Sequence, residues 1–151
     1  MLDKSEPPSI DIAALAGNLE PGPGGVWRSR TNTAISYPED GNLNCLALET
    51  DSFWFEHRSR CIESVMRRLP PPGPVFDNGG GNGYVADGLQ QAGFQVALVE
   101  PGPQGVENAL RRGVAHAIQY TLEDAGFHDD ALPAVGAFDV LEHIEDDEDF
   151  L

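Results

Sequence analysis

Positive charge is what this sequence has least of. Lysine occurs once, at Lys4, and eight arginines complete a set of 9 cations against 25 acidic residues, a formal net charge of −16. A standing grip on nucleic acid or on anionic lipid rests on clustered Lys and Arg, so neither is expected as a partner. Cysteine is scarce as well. Cys45 and Cys61 have no second pair beside them, which argues against a zinc ribbon and suits two reduced thiols of a cytoplasmic protein. No apolar run approaches the ~20 residues that span a bilayer. Residues 1–8 have neither the basic start nor the apolar core of a secretory signal.

What is present suits one globular domain of 151 residues, 40 % hydrophobic. Residues 1–50 read as an irregular extension or cap, broken by Pro7, Pro8, Pro21, Pro23 and Pro38. One short helix is predicted over 10–16, with Ser9 as its cap and Gly17 as its stop, and the rest as loop or a strand fragment packed on something else. From Asp51 the pattern turns helical. Ser52 can cap, and Trp54, Cys61, Ile62, Val65 and Met66 recur at three-to-four spacing up to Arg68, before Pro70, Pro71 and Pro72 stop the helix.

Strand and helix then alternate. The pattern predicts strands over 74–78, 95–100, 115–120 and 133–138. Between them come helices over 84–92 and 104–112, closed by Gly93 and Gly113, and a further helix starts at Val140. Such alternation means βαβ units and a parallel sheet, so the fold class is α/β, a Rossmann-like doubly wound sheet over residues 51–151.

The sharpest motif runs from the first of these strands into a helix: Asp77, Asn78, Gly79, Gly80, Gly81, Asn82, Gly83. Glycines let the backbone turn tightly and approach a ligand closely, and the helix start offers free N–H groups. Asp77 stands where an acid would repel a pyrophosphate and would suit a ligand with a positive charge, such as the ammonium of a methionine moiety. The next strand ends in Glu100, placed to accept hydrogen bonds from both hydroxyls of a ribose, and Pro101-Gly102 gives a flat surface for an adenine ring. Ribose, adenine and an amino-acid tail together describe S-adenosylmethionine.

With these residues in order, the sequence resembles the class I S-adenosylmethionine-dependent methyltransferases of small-molecule type over roughly residues 52–151. The run from Asp77 to Gly83 is similar to the family's first motif, D-x-G-x-G-x-G, and Glu100 to its ribose-binding acid. Thr121, Leu122, Glu123 and Asp124 occupy the loop that contacts adenine in the family, through a side-chain acid and a backbone N–H. Thr121 holds the usual acid position, with Glu123 or Asp124 as the displaced acid. Phe138, Asp139, Val140, Leu141, Glu142 and His143 are similar to the segment after the fourth strand that lines the methyl end of the cofactor.

The resemblance implies methyl transfer from S-adenosylmethionine to a small or medium-sized acceptor, in a cytoplasmic, bacterial-type enzyme. His143, by its intrinsic pKa, and Asp139 are the catalytic candidates. The other reading of Glu142 and His143 is the first turn of a helix, where a carboxylate is favoured by the helix dipole. Arg58 can meet the cofactor's carboxylate, with Trp54 and His57 beside it; the competing reading makes Trp54 core packing and Arg58 a surface residue. The acids at 145–149 read as a solvated helix face rather than a metal site. The family's sheet has seven strands in the order 3-2-1-4-5-7-6 and this chain supplies 3-2-1-4, so the resemblance covers the cofactor-binding portion, incomplete at its C-terminus. Its fourth strand would be an exposed edge through which a homodimer can form. Two rivals remain: an NAD(P)-dependent dehydrogenase, since Gly81, Gly83 and Ala86 fit G-x-G-x-x-A, and a cofactor-binding remnant without turnover.

Overall fold

The structure is a computed structural model that describes residues 10–30, 41–49, 51–144 and 147–150. The chain opens with α1 (Ile12–Leu15), β1 (Leu19–Pro21), a 3-10 turn, β2 (Val26–Ser29) and α2 (Gly41–Glu49). It continues through α3 (Phe53–Arg68), β3 (Val75–Asn78), α4 (Tyr84–Gln91), β4 (Val96–Val99), α5 (Pro103–Arg112), β5 (Ala117–Gln119) and β6 (Ala134–Gly136). A 3-10 turn at Leu141–His143 and α6 (Asp147–Phe150) follow. No helix among the described residues is long and apolar enough to cross a membrane.

The six strands form one sheet in the order β1-β2-β5-β4-β3-β6. Its centre, β5-β4-β3-β6, is the expected 3-2-1-4 arrangement, and every pair in it is parallel. Of the two readings of the N-terminal stretch, loop or a strand fragment packed on something else, the two outer strands realise the second. β2 adds to β5 in parallel, with Val26 opposite Ala117, and β1 turns back antiparallel on β2. α2 also stands in that stretch. The predicted N-terminal helix is shorter than 10–16 and is capped by Asp11, whose carboxylate accepts the Ala14 N–H at 3.2 Å. Ser9 and the acids at 145–146 lie outside the described residues.

β4 is buried along its whole length, because an inner parallel strand is covered on both faces. Side chains alternate between the two faces, so Val96 and Leu98 join one core and Ala97 and Val99 the other. The first core is closed by α4 and α5 through Val85, Ala86, Leu89, Val106 and Ala109, with Ile62 and Met66 of α3 at its margin. The second is closed by α1 and the loop after β5, through Ile12, Ala16, Leu122, Ala125 and Phe127. From β3 the chain steps to β4 and β5 on one side, then returns to β6 on the other. That reversal opens a crevice beyond the carboxyl end of β3, where open α/β sheets bind ligands.

Candidate functional site

A cavity of about 740 Å³ lies in that crevice. Its floor is the turn from β3 into α4, its walls come from Glu100, Pro101, Thr121 and the segment after β6, and Phe55, Arg58 and Glu49 close it from the N-terminal side.

Asp77 is the last inward-facing residue of β3 and is 1 % exposed. The turn after it is built so closely that a Cβ on Gly80 would stand 2.3 Å from Leu98 and 2.7 Å from Asp77 Oδ2. Gly79, at φ +66, has Val140 packed where its Cβ would be, at 2.7 Å. The Ala86 N–H, in the first turn of α4, donates to the Asp77 carboxylate, while Oδ2 has no hydrogen-bond partner among the described residues. Burial is the main force on this group, and with the nearby Glu100 carboxylate it outweighs Arg58 and the Ala86 N–H. The pKa is pushed up to about 7. A buried acceptor without a donor, in a cavity wall, is a place for a cation.

Glu100 follows β4 and is 2 % exposed. Its two oxygens accept the N–H groups of Gly81, at 2.9 Å, and Gly102, at 2.8 Å. It therefore ties the glycine turn to the start of α5. A Glu100→Gln chain would turn an amide NH2 toward one of these two donors. It is expected to lose about 2 kcal/mol of stability in urea unfolding; a loss below about 0.5 kcal/mol would contradict this tie.

The segment after β6 is a strap with one 3-10 turn, which corrects the expectation of a helix from Val140 onward. Asp139 has φ +58, the left-handed region that Asp and Asn tolerate best, and the chain then makes one 3-10 turn, Leu141–His143. Asp139 Oδ2 lies 2.7 Å from a guanidinium nitrogen of Arg58. The Arg58 head stands 5.5 Å from the centre of the Trp54 ring, at cation–π range. Trp54 is 56 % exposed, so it is not core packing, and the Arg58 side chain, at 18 %, is not a surface residue. α3 packs its Ile62 and Met66 inward and leaves Phe53, Trp54 and Val65 outside, against the expectation of a buried Trp54 and Val65. Ser52 holds the N-cap position of α3 without a side-chain cap bond.

Most of the expected site residues meet at the cavity. Asp77, Asn78, Gly79, Gly80, Gly81, Glu100, Pro101, Glu123, Phe138, Asp139, His143 and Arg58 all line it. Two stand apart. Gly83, at φ +75, faces α5, where a Cβ would be 2.6 Å from that of Ala109; it is needed for helix packing. Leu122 turns its side chain into the second core. In the same loop Thr121 and Glu123 reach the cavity, whereas Asp124 bonds back to Thr121. No group of three metal-binding side chains occurs among the described residues.

A buried polar chain escaped the sequence reading. The Asn82 amide donates to Glu49 Oε1 at 3.1 Å, Asn108 donates to Asn82 Oδ1 at 2.9 Å, and Glu49 also pairs with Arg112. The Arg112 head lies over the Tyr84 ring at 5.2 Å. These contacts pin α2 to the glycine turn. The partners are far apart in sequence, and the one local sign was an asparagine among glycines.

Comparison with the curated proteins finds no match. Among solved structures, a SAM-dependent methyltransferase from Bacteroides fragilis in complex with S-adenosyl-L-homocysteine is similar, with 32 % identity over 41 % of this chain and 26 % of that one and a TM-score of 0.36. The chain thus spans about a quarter of the length of that protein. The model of the family described as a methyltransferase domain matches residues 53–151. With the larger part of its length inside that match, taking in the glycine turn, Glu100 and the strap, the chain belongs to the methyltransferase domain family.

Proposed function

We propose that this chain binds S-adenosylmethionine and serves methyl transfer to a small or medium-sized acceptor. The observation that carries the reading is Asp77: a buried carboxylate oxygen without a donor among the described residues, in the wall of a glycine-lined cavity. The residues present fit the cofactor. Asp77 suits its ammonium and Arg58 its carboxylate. The turn at Gly79 and Gly80 is too close for a Cβ at either position, and it brings bare backbone to the cavity wall beside Asp77. Glu100 lines the cavity at the carboxyl end of β4, where its carboxylate suits ribose hydroxyls. Pro101, Thr121, the Leu122 backbone and Glu123 suit the adenine, and Phe138 the sulfur end.

When bound, S-adenosylmethionine supplies a methyl carbon activated by a sulfonium. The chain's own work is to align and to exclude water. Phe55, Phe138 and Val140 give the cavity apolar walls, and His143, exposed on the strap, can take a proton from an acceptor hydroxyl or amine, with Asp139 beside it as the second candidate. The reading carries with it a cytoplasmic location, a small-molecule acceptor, and a second copy of the chain as partner along the open side of β6, where Val135 is 47 % exposed.

Calorimetric titration with S-adenosylhomocysteine tests the proposal. Saturable binding is expected, and NADH should give no heat. A folded sample that binds NADH and not S-adenosylhomocysteine would overturn the reading in favour of a dehydrogenase.

A further inference from the structure

Among the described residues Arg58 is the one Lys or Arg side chain that lines the cavity, and in this structure its guanidinium is held by a residue of the chain itself. The carboxylate that holds it, Asp139, belongs to the strap over the glycine turn and adopts a left-handed backbone conformation that only a few residue types accept. The Trp54 ring stands 5.5 Å from the guanidinium, at cation–π range, and adds a second contact to the same head. We infer that Asp139 is a built-in competitor for the cofactor: it occupies on Arg58 the place of the amino-acid carboxylate and must be displaced when S-adenosylmethionine or its product binds.

The inference rests on the cofactor reading above and adds to it a specificity device. A ligand without a carboxylate has nothing to offer Arg58 in exchange and leaves the Asp139 pair closed. A ligand with one takes over the guanidinium and leaves Asp139, four residues before His143, without its cation. Cofactor recognition and the release of a carboxylate on the strap are then a single exchange of partners. Pairs of this exposure are weak: Asp139 is 56 % exposed and Arg58 18 %. The competition is therefore worth a modest factor, about three- to fivefold in affinity.

The test is a set of S-adenosylhomocysteine titrations on the full chain and on Asp139→Asn. Asparagine keeps the left-handed conformation and removes the charge. The variant is expected to bind S-adenosylhomocysteine about three- to fivefold more tightly. Its affinity for decarboxylated S-adenosylhomocysteine, which keeps the ammonium, should be unchanged or weaker. In an Arg58→Gln background the gain should vanish, whereas simple removal of a negative charge would persist there. Asp139→Gly, which also accepts φ +58, repeats the measurement should the asparagine variant fold poorly. Unchanged or weaker binding of S-adenosylhomocysteine by both variants overturns the competition alone. Failure of the unaltered chain to bind S-adenosylhomocysteine overturns the cofactor reading, and the competition with it.

Discussion

A Gly83→Val chain is expected to lose on the order of 4 kcal/mol of stability. Gly83 caps the N-terminus of α4 at φ +75, ψ +20, and its Cα faces α5 so closely that a Cβ would stand 2.6 Å from Ala109 Cβ and 3.0 Å from Ala109 Cα. The second of these atoms is backbone, which cannot swing aside. A left-handed conformation costs an L-residue about 1–2 kcal/mol, and overpacking a filled core costs about 1–3 kcal/mol more. Valine adds two methyls and a β-branch to that, for a total on the order of 4 kcal/mol or above, against the ~5–15 kcal/mol by which a domain of ordinary size is stable. Gly93→Ala is the control. Gly93 also has positive φ, +96, but nothing lies within 4 Å of its Cβ position, so only the conformational cost of about 1–2 kcal/mol applies. Urea unfolding followed by circular dichroism compares the two. A valine variant within about 1 kcal/mol of the parent would mean that α4 and α5 do not approach as described.

Gly83 also shows where sequence reading of a motif reaches its limit. The spacing of the glycines from 79 to 83 marked a tight turn between strand and helix, and that turn is there. Which glycine faces the ligand and which faces a neighbouring helix depends on α5, some twenty residues on, and no local pattern carries that. Leu122 is the same case: a backbone position beside the cavity with a side chain that the second core takes up.

The parallel centre of the sheet was legible because β3 and β4 are short apolar runs between glycine- and proline-rich turns, and because α4 and α5 end in glycines with φ +96 and +111. β1 and β2 were legible only as far as a strand fragment packed on something else. Pro21 inside β1 reads as a breaker; it is tolerated because β1 is an edge strand. α3 was legible as a helix, but its apolar spacing overstated its burial, since it lies at the margin of its core and touches it through Ile62 and Met66. The ties that pin α2, Glu49 to Asn82 and to Arg112, cross 33 and 63 residues, and only the folded chain brings them together.

Asp77→Asn is expected to separate ligand affinity from stability, in opposite directions. The Asp77 carboxyl has its pKa raised from 3.8 to about 7, chiefly by burial. A carboxyl that binds its proton more tightly folded than unfolded contributes stability that is whole below pH about 4 and is lost as pH rises through 7. Measured without ligand, the parent should therefore lose stability between pH 5 and 8 by more than the asparagine variant does. At pH 8 the variant should be the more stable by about 2 kcal/mol, a figure trimmed by the unpartnered amide NH2 that asparagine brings. Binding runs the other way. A cationic ligand needs the ionised carboxylate, so S-adenosylhomocysteine affinity in the parent should fall about tenfold from pH 8 to pH 6, with up to one proton released per molecule bound at pH 6 and almost none at pH 8. In the variant the affinity should be about a hundredfold weaker at pH 8 and nearly flat with pH, the cost of leaving a buried ammonium without its charged partner. Calorimetry in two buffers of different ionisation enthalpy counts the protons, and urea unfolding at pH 5 and 8 gives the stabilities. Equal pH dependence in parent and variant would remove Asp77 as the ammonium's partner, because no other change separates the two chains.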